Sequence, residues 1–160
     1  MKSKINKISF DLGMINCFVE MVACGVKKLA ISPPLSPEDY KHIAPLSDEI
    51  AMEFRVNSYH EKNLLITDLQ SANFTKGKWS ILYYRENNVL KAYLELKEKK
   101  DYLERIGKYN RVARKKISRD FMRLLSYPEK IIKEKLAQAG PSDPFDLTDK
   151  KEIKNENSDH

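Results

Sequence analysis

Trp79-Ser80-Ile81-Leu82-Tyr83-Tyr84 is the stretch on which the fold turns. It follows the turn-forming Lys76-Gly77-Lys78 and runs into Arg85-Glu86, so its limits are those of a short strand. Apolar groups stand on consecutive positions rather than alternate ones, which suits a strand in a sheet covered on both faces. Working upstream, Asn63-Leu64-Leu65-Ile66-Thr67 is a second continuous apolar run, entering Asp68, and it predicts another strand. Lys28-Leu29-Ala30-Ile31-Ser32, closed by Pro33-Pro34, predicts a third.

Helical patterns separate these runs. Residues 8–24 carry Ile8, Phe10, Leu12, Met14, Ile15, Cys17, Phe18, Val19, Met21 and Val22, an apolar density that predicts a buried helix, and Gly25 is placed to end it as a left-handed residue. Ser36-Pro37-Glu38-Asp39 is a helix start, with a capping hydroxyl, a proline in the first turn and two acids at the positive end of the dipole. Pro45 falls inside the helix that follows, and an interior proline costs about 3 kcal/mol, so a kink or two short helices meeting near Ala44 are expected. Downstream of Tyr84, Val89 to Arg105 is rich in helix formers, although its alternation also fits the second arm of a hairpin. Gly107 separates it from a basic helix whose apolar side collects Ala113, Ile117, Phe121, Leu124 and Leu125. Glu129 to Ala139 then forms a last amphipathic helix.

The pattern predicts an α/β fold: a small sheet of three to four strands covered by helices, with a helical C-terminal subregion. At 160 residues and 41% hydrophobic content the chain suits one domain. That domain is expected over 1–140, with a basic helical subregion at 97–139 and a disordered acidic tail at 141–160. Charge divides accordingly. The net +6 is made of +1 over residues 1–96, +8 over 97–139 and −3 over 140–160. Between Arg105 and Arg123, eight of nineteen residues are Lys or Arg and only Asp120 opposes them. On a helix, Arg111, Lys115, Arg119 and Arg123 stand four apart in a ladder. Like charges at that spacing repel by roughly 0.2–0.5 kcal/mol per pair, so the ladder calls for an anion, an acidic partner such as nucleic acid or an acidic protein, or an acidic part of the same molecule beside it.

Cys17 and Cys24 are seven apart, about 10.5 Å along a helix axis, too far for a disulfide between them. Two unbridged thiols suit a reducing cytoplasm, with burial as small hydrophobes the expected role. Asp11 and Glu20 interrupt the apolar N-terminal region and make it a poor secretory signal, and no run has the length of a membrane span.

Catalytic signatures are sparse. The five glycines are too scattered for a phosphate loop or a dinucleotide fingerprint, and His42, His60 and His160 have no metal-ligand spacing, so no metal site is expected. If the strands are parallel, ligands gather beyond their carboxyl ends. This model makes Asp68 and Ser32 candidate catalytic residues. It makes Thr67, Tyr84, Arg85 and the helix start at Ser36 candidate ligand contacts. His60, with Glu61 and beside Tyr59, is a candidate acid/base pair. Arg111, Lys115, Arg119 and Arg123 are candidate anion contacts. The leading expectation is a cytoplasmic protein that binds, and in a stronger form acts on, an anionic small molecule at the strand ends. The alternative is a module for nucleic acid or an acidic protein built on the basic helix.

Overall fold

The computed structural model describes residues 6–69 and 72–137. Their elements are α1 (Lys7–Ala23), β1 (Leu29–Ile31), α2 (Pro37–Glu53), β2 (Asn57–Glu61), α3 (Ala72–Thr75), β3 (Ser80–Tyr84), α4 (Asn87–Arg105), α5 (Arg111–Leu124) and α6 (Glu129–Ala137). The three strands form one sheet in the order β1-β3-β2. The α/β expectation stands: helices cover this small sheet on both sides, and the C-terminal part is helical. Among the described residues no helix is long and apolar enough to cross a membrane. The acidic stretch 141–160 lies outside the described residues.

β3 is the centre of the sheet, and all five of its residues are buried. Its side chains alternate between two cores, as a strand's must. Ile81 and Tyr83 join Ile15, Val19, Leu35 and Ile43 beneath α1 and α2. Leu82 and Tyr84 join Tyr93, Ile117, Phe121 and Ile132 beneath α4, α5 and α6. In the first core the Tyr83 hydroxyl meets Ser47 Oγ at 2.6 Å, and burial holds the phenol well above the usual tyrosine range. Tyr83→Phe is therefore expected to lower the unfolding free energy by about 1–3 kcal/mol, because Ser47 is left buried without its partner. Urea denaturation measures it, and an unchanged midpoint excludes it.

Four expectations are corrected. The parallel arrangement is replaced by an antiparallel one, with Ala30 opposite Tyr83 and Tyr59 opposite Leu82. The strand expected at Asn63–Thr67 is absent, and the neighbour of β3 is the more polar Asn57–Glu61. Apolar density correctly marks Leu64 and Leu65 as buried, but side chains replace a strand partner here. Leu65 N–H donates to the Tyr93 hydroxyl (3.1 Å), Asp68 N–H to Ser118 Oγ (3.0 Å) and Leu69 N–H to Thr67 Oγ1 (3.2 Å). Of the kink or two short helices expected near Ala44, the two-helix form is overturned: Pro45 lies within one continuous helix, α2. Ile43, Ala44, Ser47 and Ala51 are buried on both sides of it, while Pro45 and Lys41 are exposed. Proline thus stands on the exposed side of the helix, where the Lys41 carbonyl loses its intrahelical donor. Finally, α1 is one-sided: Ile15, Val19 and Val22 are buried, but Phe10 is 54% exposed, and both cysteines are free and exposed rather than buried. Between the two readings of Val89 to Arg105, the helix is the one formed.

Candidate functional site

Between β2 and β3 the chain leaves the sheet, and α4 and α5 hold the first half of that segment. At its start the carboxylate of Glu61, the last residue of β2, is buried. It accepts from Lys97 Nζ (2.7 Å), the Tyr93 hydroxyl (2.9 Å) and the Asn63 N–H (2.9 Å). Lys97 also donates to the Asn63 carbonyl at 2.7 Å. Further on, Asp68 accepts from Arg114 Nε at 2.6 Å. Arg114 comes from the basic helix but stands outside the four-residue ladder, so no periodicity singled it out.

Two adjoining clefts lie along this segment, sharing Ile66 and Ala72. The smaller, 280 Å³, contains Thr67 and Asp68 with Lys100, Glu104, Tyr109 and Arg114. Its charges are internally matched, by Asp68 with Arg114 and by Glu104 with Lys100 at 2.9 Å. The larger, 440 Å³, is lined by Lys62, Lys76 and Lys78 together with Asn63 and Asn73, and by no carboxylate among the described residues. Among the described residues none of these three lysines has an ion-pair partner. Lys62 stands 4.7 Å over the Trp79 ring and Lys78 4.9 Å over that of Phe74.

Trp79 links the larger cleft to a polar cluster between α2 and β2. Its ring meets Tyr40 edge-on at 4.7 Å. The Tyr40 hydroxyl hydrogen-bonds His60 Nδ1. His60 Nε2 lies 2.9 and 3.1 Å from the two Asp48 carboxylate oxygens, and Ser58 Oγ donates to the same carboxylate at 2.7 Å. A carboxylate only accepts, so Nε2 carries a proton, and in the neutral imidazole Nδ1 is then the nitrogen that accepts from the phenol. Burial, then the charge of Asp48, pushes the Tyr40 phenol above its ordinary range.

The partner expected for His60 is thereby corrected. Successive strand residues point to opposite faces, so His60 meets α2 while Tyr59 and Glu61 face the other core. Its true partners, Tyr40 and Asp48, are 20 and 12 residues away in sequence, and only the docking of α2 on the sheet reveals them.

The remaining candidates are dispersed. Ser32 is buried, accepting from the Ile81 N–H (2.9 Å) and donating to the Pro33 carbonyl (3.0 Å), which completes the ladder. Ser36 caps α2 by accepting from the Asp39 N–H at 3.1 Å. Because β1 and β3 are antiparallel, Tyr84 pairs with Leu29 at the start of β1, at the opposite end of the sheet from Ser32. Tyr84 is buried, and Arg85 donates to the Ala23 carbonyl at 3.1 Å. Thr67 and Asp68 alone of that set remain together at a cleft. On α5, Arg111 is exposed, Lys115 and Arg119 are half-buried, and Arg123 is paired with Glu129 at 2.7 Å. Compared with family models, curated proteins and solved structures, the chain matches none.

Proposed function

We propose that this protein binds an anionic small molecule in the 440 Å³ cleft bordered by Lys62, Lys76 and Lys78. The observation that carries this reading is the gathering of three lysines on that lining with no carboxylate among its described residues. Three cations around one concavity repel one another, and a bound anion converts that repulsion into attraction. Asn63 and Asn73 add side-chain amides to the rim. Of the residues expected at the strand-end site, Thr67 and Asp68 border the adjoining cleft rather than this one.

Inorganic pyrophosphate is the probe. Calorimetric titration at low ionic strength is expected to show binding that each of Lys62→Ala, Lys76→Ala and Lys78→Ala weakens by about tenfold. This is the loss of one charge-assisted hydrogen bond of roughly 1.5 kcal/mol. Affinity indifferent to all three removes the reading. A second reading rests on α5, where Arg111, Lys115 and Arg119 have no ion-pair partner among the described residues. If the site is instead a nucleic-acid or acidic-protein surface there, pyrophosphate is ignored. An oligonucleotide then binds with a salt slope that drops by about one for each of those three cations removed.

A further inference from the structure

We propose that Tyr40 is a catalytic hydroxyl, served by His60 as its base and by Asp48 as the positioning carboxylate, and that it attacks phosphate esters. The activation of Tyr40 stands on the geometry of the cluster alone; the choice of substrate rests on the anion-binding reading of the neighbouring lysine cleft.

Three described tyrosines donate or accept a side-chain hydrogen bond through their hydroxyls. Two are shut away: Tyr83 and Tyr93 are each 0% exposed, bonded to Ser47 and Glu61. Tyr40 is half-buried rather than sealed in the core. Its partner is a nitrogen base rather than a hydroxyl or a carboxylate. That base is oriented from its far side by Asp48, which Ser58 holds in turn. A nucleophile, its base and the group that orients the base thus stand in series, the arrangement that nucleophilic catalysis requires. Because the Tyr40 phenol is disfavoured as an anion, it needs a base to take its proton as the new bond forms. His60 Nδ1 stands at that position.

The surroundings indicate the substrate. Tyr40 and the Lys62 ammonium both contact the Trp79 ring, and Lys62 borders a cleft with no carboxylate among its described lining residues. Cations in the neighbourhood of the nucleophile raise the local concentration of an anionic ester. In the first step Tyr40 Oη bonds to phosphorus, the bond from phosphorus to the leaving alcohol oxygen breaks, and the phenolic proton passes to His60 Nδ1 and on to that oxygen. In the second step water attacks the phosphotyrosine, its proton passes through His60 to the released Tyr40 oxygen, and phosphate or a phosphate monoester departs. No oxidant or reductant enters.

Two measurements on the full chain test this. An aryl sulfonyl fluoride, which exchanges its S–F bond for a bond to tyrosine oxygen, is expected to label Tyr40 at least tenfold faster than the more exposed Tyr102, as read by peptide mass spectrometry. His60→Gln and Asp48→Asn should each remove that advantage while melting above the assay temperature. A purely structural cluster would leave the ratio near one. The wild-type chain should also release nitrophenolate from p-nitrophenyl phosphate or from bis(p-nitrophenyl) phosphate, and Tyr40→Phe, which keeps the ring, should abolish release. Tyr40 labelling no faster than Tyr102, or release that is absent or persists in Tyr40→Phe, overturns the proposal. Pyrophosphate binding without turnover overturns it and leaves the cleft reading intact. Turnover dependent on Tyr40 but unaffected by pyrophosphate supports Tyr40 and overturns the cleft reading.

Discussion

Lys97→Met is expected to lower the unfolding free energy by about 3–5 kcal/mol, the cost of removing one partner from a buried ion pair. The Glu61 side chain is only 5% exposed and Lys97 22%, so water does not replace the lost ammonium. The Tyr93 hydroxyl and the Asn63 N–H remain as donors, which places the expected loss toward the lower end of that range. Combining Lys97→Met with Glu61→Gln removes both charges and should recover much of the loss, because an uncharged amide costs far less to bury than a stranded carboxylate. Urea denaturation of the two single variants and the double variant gives the coupling. A Lys97→Met midpoint equal to that of the wild type would show that Glu61 is solvated and that the pair does not anchor the segment leading to the clefts.

Phe121→Ala is expected to cost about 3–5 kcal/mol, through lost burial plus the cavity left in the core. Phe121 is 1% exposed, and its ring lies 5.9 Å from that of Tyr93, tilted by 44°. It fastens α5 to α4 and the sheet, and α5 also carries Ser118 and Arg114, the two residues that hold Asp68. Loosening α5 therefore disturbs the smaller cleft as well as the core. Val112→Ala on the same helix is the control, since Val112 is 78% exposed. It should fall within about 0.5 kcal/mol of the wild type. Equal effects at the two positions would mean that α5 does not pack as described.

Both results bear on how much of this molecule its sequence makes legible. Trp79–Tyr84 was readable because a strand with apolar residues on consecutive positions needs two cores, and β3 has them. The apolar side of α5 was readable for a similar reason: Ile117 and Phe121 recur at helical spacing, and both are buried. Leu64 and Leu65 mark the limit of this kind of inference. Hydrophobicity reports burial, and burial alone does not distinguish a strand from an extended segment whose N–H groups are taken by Tyr93 and Ser118. Cys17 and Phe10 mark the opposite limit, since apolar character on every side of α1 does not say which side the sheet covers.

The candidate site was harder to read than the fold. Single residues were within reach: Asp68 and Thr67 border a cleft, and His60 sits in a hydrogen-bonded cluster. Their companions were not. Arg114, Lys62 and Tyr40 come from three different parts of the chain, and nothing in their local patterns joins them.

By itself the sequence determined the two-faced central strand, the caps at Ser36 and Gly25, the amphipathic C-terminal helices and the concentration of positive charge in one segment. These depend on periodicity and backbone preference among neighbours in the chain, which are local properties. Only the tertiary structure decided that the sheet is antiparallel, that His60 faces Asp48 and Tyr40 rather than Glu61, and that three lysines border one cleft. Each of these depends on which distant segments pack together, and that is settled by the collective burial of two cores rather than by any single stretch of residues.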